Sequence, residues 1–303
     1  MEYYGYYKHK DFPLINPNIC LTDGFCIFYL VVNIVTFLVG VFGNGLVIWI
    51  AGLKMKKTVN TTWYLSLAVS DFIICFVFPP FYIIILFKEV CVKGLFMCNF
   101  TFALIFIPLF SSVFLLVIIC VDGCVSVLFP VWSQNIRTIN KASVVVVLTW
   151  LLSVALSTRY MFAGENYRDK IVASHFIGGF AVPFLIIFFC YSLTIPRRMM
   201  SVPSKSLRVM TALIAMFIIC WLPFHVFMLL PPNPMYYSPE VIRSGLIVGV
   251  TLATVHSFLR PVLYVCMGNN VSQTLKRSIV GRIENVLGEE DPPTTSHETS
   301  TQG

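Results

Sequence analysis

The chain has 303 residues, of which 57% are hydrophobic and 12% charged, and its formal net charge is +7. A soluble globular domain carries about 25% charged residues, so this composition excludes a soluble enzyme or binding domain. The basic residues are scattered over short connections and form no continuous stripe, which argues against a nucleic-acid partner and favours charges that flank a membrane.

Seven apolar stretches, separated by short polar connections, follow one another along the chain. Each can be read as about 20 or more residues, the length that a helix needs to cross the core of a bilayer. Because a backbone in lipid must satisfy its own polar groups, the pattern predicts an all-α membrane protein, a seven-transmembrane helix bundle. The stretches open near Phe28, Trp63, Leu95, Val144, Phe176, Met210 and Leu246.

The basic residues also predict the orientation of the bundle. Twelve Lys and Arg residues fall in the connections after the first, third, fifth and seventh stretches, against eight in the N-terminal arm and the other three connections. Cytoplasmic loops carry the excess of Lys and Arg in membrane proteins. We therefore expect a multi-pass plasma-membrane protein whose N-terminus is extracellular.

Four segments follow from this orientation. Residues 1–26 are predicted to form an extracellular arm, and residues 27–267 the seven-transmembrane domain. Residues 268–287 alternate polar and apolar side chains with a helical period, which predicts a short amphipathic cytoplasmic helix that contacts membrane lipid. Residues 288–303 are acidic and rich in Ser and Thr, a composition typical of a disordered cytoplasmic tail.

The sequence shows no pattern of an enzyme. We find no metal-ligand cluster, no Gly-rich phosphate loop and no nucleophile-base set, so we expect no catalytic residues, cofactor or metal. A transporter or channel is the alternative from another class. It would carry several ionisable residues along a path through the membrane, whereas the apolar stretches contain mainly Asp71 and Arg260.

Six of the seven stretches each contain a different short motif, and the order of these motifs along the chain is informative. They are Gly43-Asn44-Gly45-Leu46-Val47, Leu67-Ala68-Val69-Ser70-Asp71, Trp150, Pro183 with Tyr191, Cys220-Trp221-Leu222-Pro223-Phe224 and Arg260-Pro261-Val262-Leu263-Tyr264. One such string is weak evidence, but six in this order resemble the signatures of the rhodopsin-like (class A) G-protein-coupled receptors. The resemblance covers roughly residues 26–287.

The connection after the third stretch narrows the resemblance. Leu128-Phe129-Pro130-Val131-Trp132-Ser133-Gln134-Asn135 is similar to the second inner loop of chemoattractant receptors, most of all the chemerin-receptor and formyl-peptide-receptor branch. The resemblance implies a receptor that binds an extracellular peptide or hydrophobic ligand, signals through inhibitory-type heterotrimeric G proteins and engages arrestin. It also implies that Trp221 lies at the pocket floor, that the sixth helix bends at Pro223, and that Tyr191 and Tyr264 help hold the active state.

The inner end of the third stretch departs from the family. Asp122-Gly123-Cys124 stands where the family has an Asp-Arg pair, whose arginine docks the G-protein tail. Gly123 has no side chain for that contact, and glycine weakens a helix by about 0.5–1 kcal/mol relative to alanine. Two interpretations stay open: an atypical, arrestin-coupled or scavenger receptor without G-protein activation, or a receptor that couples through other contacts.

Arg260 is a second departure, because the family usually has asparagine at this position. A charge within the bilayer is costly and nearly always finds a partner inside the bundle. In the family's fold this position faces Asp71, whose counterpart commonly holds a sodium ion. We predict that the Arg260 guanidinium takes the place of the ion near Ser112, Ser257 and His256. The alternative is an arginine that reaches the inner interface.

The cysteines depart from the family as well. Relatives bond the residue that matches Cys98 to the loop between helices four and five, and that loop has no cysteine here. One reading is a disulfide between Cys91 or Cys98 and the N-terminal pair, and the other is free thiols. The candidates for a disulfide are Cys20, Cys26, Cys91 and Cys98, whose connectivity the sequence does not define.

The resemblance places the ligand pocket in the outer half of the bundle. Formyl-peptide receptors hold charged ligand groups with an aspartate and two arginines, and the matching positions here are Phe106, Ile171 and His175. We therefore predict a mainly apolar pocket that favours an aromatic, lipid-like or hydrophobic peptide ligand. Its histidines are either pH-sensitive donors or, as is more common, groups that satisfy a polar neighbour. The predicted ligand-binding residues are Phe102, Phe106, His175, Trp221 and His225.

The C-terminal tail carries a cluster of hydroxyl residues after three acidic ones. Phosphate added there would contribute negative charge suited to arrestin recruitment, and the alternative is a tail that serves only solubility. The candidates, which follow Glu289, Glu290 and Asp291, are Thr294, Thr295, Ser296, Thr299, Ser300 and Thr301.

Overall fold

Seven helices of the computed structural model are long and apolar enough to cross a membrane. The structure describes residues 24–87, 95–158, 173–199, 205–230, 238–267 and 279–287. Within these ranges the prediction of a seven-transmembrane helix bundle is confirmed. The extracellular arm through residue 23, the two cysteines Cys20 and Cys91, and the predicted phosphorylation sites lie outside the described residues.

The helices are numbered here in chain order. The first three spans are α1 (Gly24–Trp49), which continues as a π-helical turn at Ile50–Lys54, α2 (Val59–Phe87) and α3 (Leu95–Leu128). A short connecting helix, α4 (Pro130–Ile136), precedes the fourth span, α5 (Ile139–Ser157). The remaining helices are α6 (Val182–Met199), entered through a π-helical turn at Ile177–Ala181, α7 (Lys205–Leu229), α8 (Pro239–Met267) and α9 (Ile279–Leu287).

Several helices begin before the residue at which their apolar stretch opens. The second span begins at Val59 rather than Trp63, and the fourth at Ile139 rather than Val144. The first turn of α5 is polar, and its backbone is capped by the Thr138 hydroxyl, which accepts a hydrogen bond from the Lys141 amide at 3.4 Å. Hydropathy locates the part of a helix that lies in lipid, so it misses these capped first turns.

The fourth span, α5, shows the membrane environment most clearly. Its buried side chains are small and polar, since Ser153 and Ser157 are fully buried and Thr149 is 5% exposed. Its large apolar side chains point outward, and Leu151 is 60% exposed. A water-soluble helix has the opposite arrangement, whereas membrane helices use small residues at their contacts and leave apolar side chains to the lipid.

Two glycines allow close approaches between helices. A Cβ atom on Gly40 of α1 would collide with the Cys75 side chain of α2. On Gly249 of α8 a Cβ would lie 2.5 Å from the Cα atom and 2.7 Å from the backbone nitrogen of Phe224 in α7. Because small residues let helix backbones approach closely, Gly249 sets the distance between the sixth and seventh spans.

The last helix, α9, lies within the range predicted for the amphipathic helix, and residues 268–278 of that range are outside the described residues. Its Ile283 and Leu287 are buried. Glu284 forms an ion pair of 2.8 Å with Lys54, at the end of the first span. These contacts hold α9 against the inner end of the bundle.

Candidate ligand pocket and transmission site

A buried ion pair joins the second and seventh spans. The Arg260 Nη1 atom of α8 lies 2.5 Å from Asp71 Oδ2 of α2, and each side chain is 1% exposed. Arg260 Nη1 also donates to Ser112 Oγ of α3 at 2.8 Å, and the Ser112 hydroxyl donates to Asp71 Oδ1 at 2.9 Å. The pair predicted from the sequence is therefore present and is shared by three helices. The alternative, an arginine that reaches the interface, is wrong.

His256 connects this ion pair to Trp221. It lies one turn before Arg260 on α8, and each of its ring nitrogens is 3.3 Å from Arg260 Nη2. The ring centroid of His256 lies 6.5 Å from that of Trp221, in an edge-to-face arrangement, and 6.3 Å from that of Phe217. A continuous series of contacts therefore runs from the floor of the predicted pocket to the ion pair.

A cluster of aromatic rings surrounds His225 of α7. The His225 ring centroid lies 4.8 Å from that of Phe180 and 5.3 Å from that of His175. His225 and His175 are each 1% exposed, and Trp221 is 2% exposed. We call this cluster the histidine cage, which consists of His225 with His175, Phe176, Phe180, Trp221 and Phe224.

The cage extends to the third span through His175. The His175 ring lies 5.2 Å from Phe106 and 5.3 Å from Phe110 of α3, measured between centroids. Four of the five predicted ligand-binding residues are thus brought together, and the side chain of the fifth, Phe102, lies outside those described, as does Ile171.

The sequence prediction missed two rings of this region, Phe110 and Phe180. Phe180 belongs to a regular series in which Phe176, Phe180, Phe184 and Phe188 each lie about one helical turn apart, with successive centroids separated by 6.0 Å. This four-residue period was visible in the sequence and is the signal that marks the aromatic face.

Two side chains of the cage have buried nitrogens that accept or donate no hydrogen bond among the described residues. They are Trp221, through Nε1, and His225, through both Nδ1 and Nε2. The common expectation that such a histidine satisfies a polar neighbour therefore fails for His225 within the described part of the chain.

Asp122, at the inner end of α3, forms an ion pair with an arginine from outside this helix. Arg137, which directly follows α4, donates to both Asp122 carboxylate oxygens, with an Nη2–Oδ2 distance of 2.8 Å. Trp63 Nε1 donates to Asp122 Oδ2 at 3.3 Å, and Asn60 accepts from Arg137 Nη2. The sequence prediction counted Arg137 only as a charge on the inner side. The feature of the sequence that could have indicated the Asp122–Arg137 pair is Gly123. It replaces the family's arginine, so the Asp122 carboxylate has no arginine next to it in the sequence and needs a cation from elsewhere.

The other predicted transmission residues, apart from Pro223, lie along the inner half of the bundle. The Tyr191 hydroxyl of α6 is 3.1 Å from Thr211 Oγ1 of α7, and either group can donate. Tyr264 of α8 is buried and contacts the Tyr64 ring edge-on at 5.7 Å between centroids. Gly123 does not interrupt α3, and Pro223 lies inside α7. The roles of these residues remain predictions.

One predicted disulfide candidate can be placed. Cys26 of α1 is disulfide-bonded, and its partner lies outside the described side chains. This contradicts the free-thiol alternative for Cys26. Free cysteines that are buried in the helices are Cys75, Cys120, Cys124, Cys190 and Cys220, and Cys266 is free and exposed.

Comparisons with known proteins agree with this architecture. The family model described as "7 transmembrane receptor (rhodopsin family)" matches residues 43–264. N-formyl peptide receptor 3 of Macaca mulatta is 34% identical over an alignment that covers 87% of this chain and 86% of the relative. The human N-formyl peptide receptor 3 is 34% identical over 91% of this chain and 89% of its own length. Formyl peptide receptor 2 of Mus musculus is 34% identical over 90% and 88%.

Proposed function

Because the chain belongs to the rhodopsin family of seven-transmembrane receptors, in its chemoattractant branch, we propose that it binds an extracellular peptide or hydrophobic ligand in the histidine cage. Such receptors are multi-pass proteins of the plasma membrane with an extracellular N-terminus, which places the cage in the outer half of the bundle. His225 lies one turn from the outer end of α7, which ends at Leu229.

The observation that carries this proposal is the composition of the cage. The five rings in contact with His225 are three phenyl rings, one indole ring and one imidazole ring, and none of them carries a fixed charge. Pockets that are lined mainly by aromatic side chains, with a few polar groups, bind apolar ligands and fix their orientation through the polar groups. The relatives are named for formyl peptides, but the cage supports an apolar ligand here.

We further propose how binding reaches the cytoplasmic side. A ligand that moves Trp221 changes its contact with His256, and His256 contacts the guanidinium of the buried ion pair. Pro223 lies half a turn beyond Trp221 and gives α7 a point at which it can bend. The expected output is activation of an inhibitory-type G protein, with arrestin as a second partner.

Gly123 supports a second candidate function. The arginine that docks the G-protein tail in the family is missing, and Asp122 is already paired with Arg137. A receptor of this kind recruits arrestin or takes up its ligand without activating a G protein.

One experiment separates the two functions. G-protein activation and arrestin recruitment are measured in the same cells with a panel of chemoattractant peptides and hydrophobic small molecules. G-protein activation by the wild type supports the first function, and arrestin recruitment or uptake alone supports the second. Gly123→Arg should raise G-protein activation, whereas the control Gly123→Ala restores helix propensity without a charge. Equal signals from wild type and both variants would show that this position does not limit coupling.

A further inference from the structure

Three buried nitrogens of the histidine cage are unsatisfied among the described residues: Nδ1 and Nε2 of His225 and Nε1 of Trp221. His225 is 1% exposed and Trp221 is 2% exposed, so bulk water does not reach them. Buried polar groups in proteins are nearly always hydrogen-bonded, and an unsatisfied one costs more than the bond it lacks. An apolar ring of the same size at position 225 would avoid this cost, so the presence of an imidazole calls for an explanation.

The donor and acceptor pattern of these nitrogens defines what would satisfy them. A neutral imidazole has one N–H donor and one acceptor nitrogen, and an indole has one N–H donor. The two imidazole nitrogens point in divergent directions, so one small group can bond to only one of them. A hydroxyl group can donate to the acceptor nitrogen of His225 while it accepts from the indole N–H of Trp221. His225 lies four residues, about one helical turn, after Trp221 on α7, and the two ring centroids are 5.9 Å apart, so one small group beside these neighbouring rings can contact both.

The surroundings argue against a charged ligand group. Apart from the imidazole of His175, the rings that contact His225 are Phe176, Phe180, Trp221 and Phe224, and none of them offers a counter-ion. An ion that enters a low-dielectric site without a partner loses far more hydration energy than an uncharged polar group does. The cage therefore discriminates against ammonium and carboxylate groups.

We propose that the histidine cage recognises an apolar alcohol, whose hydroxyl bonds to His225 and Trp221 while its apolar part packs against the surrounding rings. This inference rests on the proposed function only in that the cage is the ligand pocket. It makes His225 a specificity-determining residue that reduces the stability of the empty receptor and selects an uncharged hydrogen-bonding ligand.

The test uses five matched probes on the purified full-length receptor in lipid nanodiscs, with thermal unfolding as the readout. The probes are 4-phenylbutan-1-ol, butylbenzene, 4-phenylbutanamide, 4-phenylbutylamine and 4-phenylbutanoate, which share one apolar part and differ in the head group. A ligand that binds the folded state raises the midpoint of unfolding according to its concentration and affinity. We expect the alcohol to give the largest shift, and butylbenzene and the two charged probes to give little or none.

Two variants at position 225 link the shift to the histidine. His225→Phe removes the unsatisfied nitrogens, so the empty receptor should unfold about 2–6 °C higher than the wild type. The same variant should bind 4-phenylbutan-1-ol about tenfold more weakly, the loss expected for one to two hydrogen bonds. His225→Asn keeps one donor and one acceptor and should retain part of the preference for the alcohol.

Several outcomes would overturn the inference. A lower unfolding midpoint of empty His225→Phe would show that the nitrogens are already satisfied, for example by a bound water molecule. An equal shift with butylbenzene and the alcohol, or no shift with any probe, would remove the alcohol as the recognised class. Because unfolding does not depend on signalling, binding of the alcohol without recruitment of G protein or arrestin would count against the proposed function and leave the cage as an alcohol site.

Discussion

The Asp71–Arg260 pair allows a prediction whose size follows from the structure. Asp71→Asn removes one charge and leaves the Arg260 guanidinium, which is 1% exposed, without a counter-ion. Loss of one partner of a buried pair costs about 3–5 kcal/mol, because the remaining charge stays desolvated. Two unit charges about 4 Å apart at an effective dielectric constant of about 20 interact by about 4 kcal/mol, which agrees with this range.

The assay is thermal unfolding of the purified receptor, with surface expression as a second readout. For a chain of this size about 1 kcal/mol corresponds to a shift of roughly 2–4 °C, so Asp71→Asn should lower the midpoint by about 6–20 °C. Arg260→Asn should be destabilising for the same reason, since it leaves the Asp71 carboxylate buried with only uncharged hydroxyl partners, Ser112 and Ser257, among the described residues.

The double variant tests the coupling between the two charges. Asp71→Asn combined with Arg260→Asn leaves no uncompensated charge, so it should recover most of the midpoint and the surface expression lost in Asp71→Asn. A double variant that is as unstable as the sum of the two single variants would refute the reasoning. That result would mean that Asp71 and Arg260 contribute independently, for instance through their separate bonds to Ser112.

Two further predictions concern other contacts of the bundle. Arg137→Ala should lower the free energy of unfolding by about 1–2 kcal/mol, because the ion pair with Asp122 is only about one-fifth exposed. The same variant should speed amide hydrogen exchange in α4. The control is Lys141→Ala, at a nearby exposed position, which should leave the exchange in α4 unchanged. Unchanged exchange in Arg137→Ala would show that the pair does not hold α4. Gly249→Ala should lower the unfolding midpoint by the equivalent of about 1–3 kcal/mol, since the new Cβ meets the backbone of Phe224. Gly178→Ala, where nothing lies within 4 Å, is the control and should leave the midpoint unchanged or raise it slightly, because alanine favours a helix over glycine. Equal midpoints for both glycine variants would show that α7 and α8 are not in close contact at this point.

The number and order of the helices follow from composition and could be predicted. The contacts that depend on how each helix is oriented about its own axis could not. The apolar stretches gave the number and order of the spans because lipid leaves little alternative to helices. The Asp71–Arg260 pair was predictable because a charge within the bilayer needs a partner, and the resemblance to the receptor family implies that these two positions face each other. Without that resemblance, the sequence does not show which face of each helix points inward.

The missed contacts depend on local geometry that a sequence does not display. Phe180 lies inside the π-helical turn Ile177–Ala181, where the wider turn changes the direction of the side chains relative to a regular helix. The pairing of Arg137 with Asp122 depends on the path of the chain through the short helix α4, which Arg137 directly follows. The four-residue period of the Phe series was visible in the sequence, but in both cases a few residues of irregular backbone decide which side chains meet.

The buried guanidinium of Arg260 has a consequence for how the receptor responds to its surroundings. A carboxylate that is neutralised by a diffusible ion has an occupancy set by the salt concentration on one side of the membrane. Here the positive charge is part of the polypeptide, so its local concentration beside Asp71 is constant in any extracellular fluid. We therefore expect the stability of the receptor at this point to be independent of the external sodium concentration, because the cation beside Asp71 is a side chain of the protein.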